Sequence, residues 1–356
     1  MPVPVLTFFN NKGGVGKTSL VYHLAWMYAE QGLRVVAVDL DPQANLTAAF
    51  LDEDRLAQLW DDAAGAGTIF RSVKPLLSIG DYAPVEFQEV DSNLALVPGD
   101  LGLSSFEDEL SSMWTAALSE NKDRPMRILT AFWRSAQDAA VRFAADLIVF
   151  DVGPNLGAIN RAALLASSHV IVPLGADLFS LQGLRNLGPA LRKWRADWTE
   201  RRARWERPAF DLPSGTMEPV GYVAMRHGVR LARPVQAYTR WLDRIPAEFR
   251  RSVLDEPAGE SPPIGEDPLC LALLKNYNSL MPLAQEARKP IFSLLAAEGA
   301  IGSHANAAAG ARDDFRKLAQ SIAQRIGVHM PCAASSQLEL FDALSGTGTG
   351  TGAARA

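Results

Sequence analysis

Cysteine is nearly missing: Cys270 and Cys332 are the only two in 356 residues, and they lie far apart in the sequence. A disulfide scaffold and a cysteine-rich metal centre are thereby excluded, and a reducing cytoplasm suits such a chain. Long apolar runs are also lacking. No stretch reaches the roughly 18 uninterrupted apolar residues of a membrane span, so no membrane partner is expected. Nor is a secretory leader expected at the N-terminus, because a strand-like run starts at Val3. What remains is ordinary for a water-soluble globule, with 48% hydrophobic residues. The length suits one large α/β domain or two smaller ones.

Negative charge dominates, at a net −5, but it is unevenly spread. From Arg185 to Arg207 seven Arg and one Lys face Asp197, Glu200 and Glu206; from Arg226 to Arg251 seven Arg face only Asp243 and Glu248. Each window carries a formal +5, which leaves the remainder near −15. Such a chain can offer nucleic acid a basic face, or spend the same arginines on ion pairs along helices. Trp194, Trp198 and Trp205 punctuate the first window. Aromatics among arginines can stack on bases, yet tryptophans at helical spacing favour packing.

The chemistry starts near the N-terminus. Val3 to Phe9 is a short run of strand formers, and Ser19 to Gln31 places Leu20, Leu24, Met27 and Tyr28 at helical spacing. Between them lies Asn10-Asn11-Lys12-Gly13-Gly14-Val15-Gly16-Lys17-Thr18. Strand, glycine loop and helix together make a phosphate-binding loop. Gly13, Gly14 and Gly16 let the backbone turn tightly and aim N–H groups inward, and the helix start adds its positive end. Val15 and Ser19 complete the candidate nucleotide-binding set, Lys17 reaches for β- and γ-phosphates, and Thr18 offers its hydroxyl to Mg²⁺.

One departure is informative. Asn11 stands where the usual loop has its first glycine, and a second lysine, Lys12, follows. KGGVGKT resembles the deviant Walker A motif of the ParA/MinD family of ATPases. The resemblance implies that Lys12 crosses a dimer interface to the partner's nucleotide, so that ATP binding and homodimerisation become one event. Asp39-Leu40-Asp41-Pro42-Gln43-Ala44-Asn45-Leu46-Thr47, after a second buried-type strand, is similar to the ParA switch. By that likeness Asp41 positions the attacking water and Asp39 lies near the Mg²⁺ shell. Leu147 to Phe150, ending in Asp151, matches a Walker B strand whose carboxylate holds Mg²⁺. Gly153 stands where the family usually has proline. His169 to Leu184 resembles ParA proteins in a region where MinD diverges, and Ser279 to Ile291 resembles the family's closing segment.

The expected architecture is therefore a doubly wound, mostly parallel α/β sheet with helices on both faces. One ATPase domain should span residues 1–330, with insertions at about 50–91, 197–217 and 252–270 and a disordered tail at 331–356. Further expected elements are a strand over Asn93–Gly99 and helices over Ser104–Ala117, Pro125–Phe143, Ala158–Ala166, Pro234–Arg244 and Ala311–Ile326. Phe50–Asp91 reads as short helices and loops.

The resemblance implies an ATP hydrolase with ATP and Mg²⁺ as cofactors. Its ATP dimer would bind DNA nonspecifically through arginines such as Arg226, Arg230 and Arg233, until a ParB-like or other activator stimulates slow hydrolysis. No base-reading motif is visible, so ATP rather than GTP is inherited from the family. A MinD-like membrane switch would need a basic amphipathic C-terminal helix, and reductase relatives would need cysteines near the dimer axis. With strand one at the very start, the N-terminal DNA-reading domain of some plasmid relatives is not expected. The competing reading is an ATP-gated protein-interaction module whose insertions dock a partner and which never binds DNA.

Overall fold

A computed structural model describes residues 1–61, 67–78, 80–119, 123–225, 240–275, 277 and 279–331. Its strands are β1 (Val5–Phe8), β2 (Val35–Asp39), β3 (Gln88–Asp91), β4 (Leu94–Val97), β5 (Leu147–Asp151), β6 (His169–Gly175), β7 (Glu218–Met225) and β8 (Cys270–Leu274). They form one sheet in the order β3-β4-β2-β5-β1-β6-β7-β8. Every neighbouring pair is parallel except β3–β4.

The first half of the chain contributes α1 (Lys17–Glu30), α2 (Asn45–Phe50), α3 (Glu53–Trp60), α4 (Ile69–Val73), α5 (Glu107–Ala116), α6 (Asp123–Leu129), α7 (Ala131–Phe143) and α8 (Ala158–Ala166). The second half adds α9 (Leu178–Ala203), α10 (Ile245–Phe249), α11 (Met281–Ala287) and α12 (Ser303–Ile326).

Burial explains the sheet. β1, β2, β4 and β5 are buried at every position, as a parallel strand covered on both faces requires. Alternation then splits each strand between two cores. Val36 and Val38 face the layer built from α4 to α10, while Val35 and Ala37 face α1, α2, α11 and α12. The expected doubly wound fold is the observed one.

Several local expectations change. Phe50–Asp91 holds an edge strand, β3, whose Gln-Glu-Val-Asp alternates half-buried with exposed. It supplied no apolar run to read, and its charges suit an edge that must not recruit further strands. The helix expected over Pro125–Phe143 breaks at Thr130, whose hydroxyl donates to the Met126 carbonyl at 2.7 Å. The last helix begins eight residues before Ala311, because Ser303–Gly310 is alanine-rich and needs no apolar stripe to be helical. The Pro234–Arg244 helix falls mostly outside the described residues. Beyond it α10 runs on into a π-helical turn over Arg250–Leu254.

The long α9 continues through the first basic window with Pro189 inside it. At Gly188 an added Cβ would lie 1.7 Å from the Ser252 carbonyl oxygen, so only glycine lets the 250–254 turn seat on α9. Trp194 and Trp198 are buried, and the Trp198 indole donates to the Pro213 carbonyl at 3.1 Å. Packing is their role. Among the described residues no helix is long and apolar enough to cross a membrane.

Candidate nucleotide site

The glycine loop leaves β1, the central strand between β5 and β6, and enters α1. It therefore sits at the carboxyl edge of the parallel strands, where open α/β sheets form their crevice. Gly14 (φ 71°) and Gly16 (φ 82°) are left-handed, a conformation that a side chain would strain. Gly16 caps α1 with no side-chain bond, which leaves the first-turn N–H groups free for an anion.

Two anchors hold the loop. The Asn10 amide donates to the Pro173 carbonyl at 2.7 Å, and its Oδ1 accepts the Lys12 N–H at 3.0 Å. On the other side α9 comes so close that a Cβ on Gly183 would lie 2.8 Å from Asn10 Oδ1 and 2.9 Å from Asn11 Oδ1.

Lys17 is buried, and its Nζ donates to the Asn10 and Lys12 carbonyls at 3.2 and 3.4 Å. Burial lowers its pKa, against the pull of Asp151 and Asp41. These are long bonds, easily exchanged for phosphate oxygens. Asp151, at the end of β5, is wholly buried and neither carboxylate oxygen has a hydrogen-bond partner of ordinary geometry. Burial drives its pKa well up, with Asp39 and Asp41 adding to the rise and Thr18 and Lys17 opposing it.

Asp39 lies beside it but is already engaged. Its Oδ2 accepts both the Thr47 N–H (2.8 Å) and hydroxyl (2.7 Å), and its Oδ1 accepts the Asp41 N–H at 3.2 Å. Burial, helped by Asp41, still lifts Asp39 to about 6 against those bonds.

The donor set fits Mg²⁺. The buried Asp151 carboxylate and the Thr18 hydroxyl beside it would be the protein ligands, completed by phosphate oxygens and water. Among the described residues no cluster of three or more His, Cys, Asp or Glu could hold a metal. The Asp39 oxygens also orient Thr47, whose hydroxyl in turn accepts the Gly99 N–H at 2.7 Å.

Asp41 is nearly buried and accepts the Gln43 N–H at 3.0 Å. A Cβ on Gly153 would sit 3.5 Å from its Oδ1, so the loops after β2 and β5 touch. Ala44, buried at the head of α2, is held at φ 51°, a strained conformation for a residue with a Cβ.

Sequence reasoning missed three residues around the site. Asp177 accepts the Lys12 ammonium at 2.5 Å and also caps α9 through the Ser180 N–H at 2.9 Å. Burial opposes its charge, but Lys12 and the Ser180 N–H hold its pKa down. His23 on α1 sits between the Ser19 carbonyl (2.6 Å) and the Ile291 N–H (3.2 Å) and stacks on Phe315. Nε2 accepting and Nδ1 donating is the neutral tautomer, and burial drives its pKa down to about 4. Asn160 donates to the Gly153 and Asn155 carbonyls at 3.0 and 2.7 Å, bracing the loop after Asp151. The Asp177 cap of α9 is local, but the contacts that bring these residues to the site, Lys12 with Asp177 and Ile291 with His23, join elements far apart in the chain.

The first basic window is largely spent on the fold. Arg185 pairs with Glu248, Lys193 with Asp197 and Arg204 with Glu200, while Arg195 and Arg202 donate to the Thr216 and Ser214 carbonyls. In the second, Arg250 pairs with Asp267 and Arg251 with Glu248, and Arg240 and Arg244 flank Trp241. Arg226, Arg230 and Arg233 lie outside the described residues.

A glycine loop opening α1, with its lysine facing the aspartate that ends β5, defines a P-loop nucleotide-binding protein. The second lysine places it in the deviant Walker A class. Residues 3–201 match the AAA domain family AAA_31, and the chain belongs to it, in line with the ParA/MinD resemblance. Among curated proteins it is 30% identical over 179 residues to the chromosome-partitioning ATPase Soj of Treponema pallidum, covering 50% of this chain and 60% of Soj. It is 31% identical over 182 residues to the cell division protein PomZ of Myxococcus xanthus, covering 51% of this chain and 49% of PomZ. Each match thus spans less than two thirds of the relative. Among solved structures, protein DIP2308 of Corynebacterium diphtheriae superposes with a TM-score of 0.67 at 25% identity, covering 91% of this chain and 99% of that one.

Proposed function

We propose that this protein is a ParA-like ATPase switch for DNA partition or cargo positioning. The observation that carries the reading is the juxtaposition of Lys17, Thr18 and the unpartnered Asp151 carboxylate under the glycine loop, with Lys12 at its mouth. The loop N–H groups cradle the phosphates of ATP, and Lys17 exchanges its two carbonyls for phosphate oxygens. Thr18 and Asp151 would hold Mg²⁺, which supplies neutralisation of phosphate charge. Asp41 orients the attacking water, and through Gly153 its loop feels any movement of the loop after Asp151.

Lys12 is about 28% exposed in its pair with Asp177, so the pair is open to exchange. In the ATP-bound homodimer Lys12 leaves Asp177 for the partner's nucleotide. The dimer then binds DNA nonspecifically, and an activator protein of the ParB kind releases it by stimulating an otherwise slow hydrolysis. The protein acts in the cytoplasm, on the nucleoid when it holds DNA.

A second reading has a specific observation behind it. Because the 185–207 arginines are committed to carbonyls and acids of the same chain, an ATP-gated protein-interaction module that ignores DNA is the alternative. Binding to nonspecific duplex DNA with ATP, ADP or no nucleotide, across a salt series, separates the two. Retention only with ATP, falling steeply with salt and lost in Lys17→Ala, supports the partition switch. No retention at low salt by a demonstrated ATP dimer would sink it.

A further inference from the structure

Glu107 is the first residue of α5, yet its carboxylate works on another helix. Oε1 accepts the Ala158 N–H at 2.5 Å and Oε2 the Ile159 N–H at 2.8 Å, the first two donors of α8. α8 has no cap of its own, since Gly157 precedes it without a side-chain bond. Gly157 also makes the clamp possible, because a Cβ there would lie 2.6 Å from Glu107 Oε1 and 2.8 Å from Asn155 Oδ1. A side chain at 157 and the Glu107 carboxylate exclude each other.

The held point matters because of what hangs from it. Asp151 and Ala158 are joined by the short loop Val152–Gly157, which meets Asp41 at Gly153. Asn160 ties the loop from inside through the Gly153 and Asn155 carbonyls. Glu107 ties it from outside, to a different element. The clamp is itself buttressed. Arg161 on α8 lies near enough to Glu107 to feel its charge, and both Arg161 and Arg201 stack on Trp114 of α5, at 4.4 and 3.9 Å from the ring centre. A local Ser or Asp cap would satisfy a donor of the same first turn, but it would leave the loop free to move with α8. The remote carboxylate fixes it against the body.

We propose that Glu107 is a positioning residue for ATP hydrolysis: by clamping the start of α8 it fixes the loop between Asp151 and α8, and so the placement of Gly153 against Asp41. This rests on reading the site as an ATP hydrolase. A displacement of about 1 Å at reacting groups can cost on the order of 100-fold, whereas phosphate binding on the glycine loop does not involve this loop. Glu107 therefore acts on turnover rather than on affinity.

The test is steady-state and single-turnover ATP hydrolysis by the full chain, with ATP affinity measured in parallel. Glu107→Ala should lower kcat at least about 10-fold with KM and ATP affinity within about twofold. Glu107→Gln keeps one acceptor and should fall between it and the wild type. Gly157→Ala, which evicts the carboxylate from the other side, should reproduce Glu107→Ala. If the variants lose thermal stability yet keep wild-type kcat, the clamp is only structural and the assignment is overturned. The same holds if KM rises at constant kcat. Should Glu107→Ala not fold, Glu107→Gln and Gly157→Ala decide by the same criterion. Absence of turnover in the wild type would overturn the hydrolase reading, and this assignment with it.

Discussion

Replacing Asp151 by asparagine should stabilise the nucleotide-free protein at pH 8 and abolish its response to Mg²⁺ and ATP. In the free protein the carboxylate is buried with both oxygens unpartnered, beside Asp39 and Asp41. The sign follows from linkage. A carboxyl whose pKa is raised on folding binds a proton in the folded chain at pH values where the unfolded chain has lost it, so its contribution to stability falls as pH rises. Asp39 beside it moves the same way, from 3.8 to about 6, a rise that for Asp39 itself corresponds to about 3 kcal/mol above pH 6. Asparagine removes the charge at Asp151 but leaves a buried amide with poor partners, which costs about 1–3 kcal/mol. The gain should be largest at pH 8, where it works against that fixed cost, and shrink toward pH 5 as the wild-type carboxyls take up protons. The assay is chemical denaturation at pH 5, 6.5 and 8, with and without Mg²⁺ and ATP. A variant less stable than the wild type by the same amount at every pH would refute the electrostatic argument. Stabilisation by Mg²⁺ and ATP equal to that of the wild type would remove Asp151 from the metal site.

Other consequences follow from the same geometry. His23, neutral at about 4 in the fold against 6.5 unfolded, makes stability rise with pH between those values and level off above. Denaturation at pH 5 and 7 should show about 2 kcal/mol of that slope vanishing in His23→Gln, which can still accept the Ile291 N–H. Ala44→Gly relieves a left-handed residue at the head of α2 and should raise stability by about 1 kcal/mol, read as a higher denaturation midpoint at unchanged slope. Asp177→Asn frees Lys12 without removing a cap for α9, and should shift ATP-dependent dimerisation to lower protein concentration in sedimentation velocity. Unchanged dimerisation there would mean that the pair does not restrain Lys12.

Legibility divided along a physical line. The phosphate loop, the aspartates ending β2 and β5 and the parallel sheet were readable because their signals are local. A phosphate loop needs consecutive glycines between a strand and a helix. A strand buried on both faces must be a continuous apolar run, and its carboxylate must follow at the sheet's carboxyl edge. By contrast β3 went unread because an edge strand with one wet face carries no such run, and the Thr130 break because a threonine bonding back to the carbonyl four residues earlier leaves the apolar spacing on either side unchanged.

What the amino-acid sequence alone determined is the kind of chemistry: a doubly wound fold, an anion cradle, two lysines and the acids that accompany them. Tertiary structure decided how each of those groups is occupied. It engages Asp39 with Thr47 and leaves Asp151 bare, pairs Lys12 with Asp177 from α9, spends the first arginine window on carbonyls and acids, and brings Glu107 to a helix some fifty residues away. The reason is range. Backbone conformation and burial are written in neighbouring residues, whereas a side chain's partner is chosen by which elements the sheet order lays side by side.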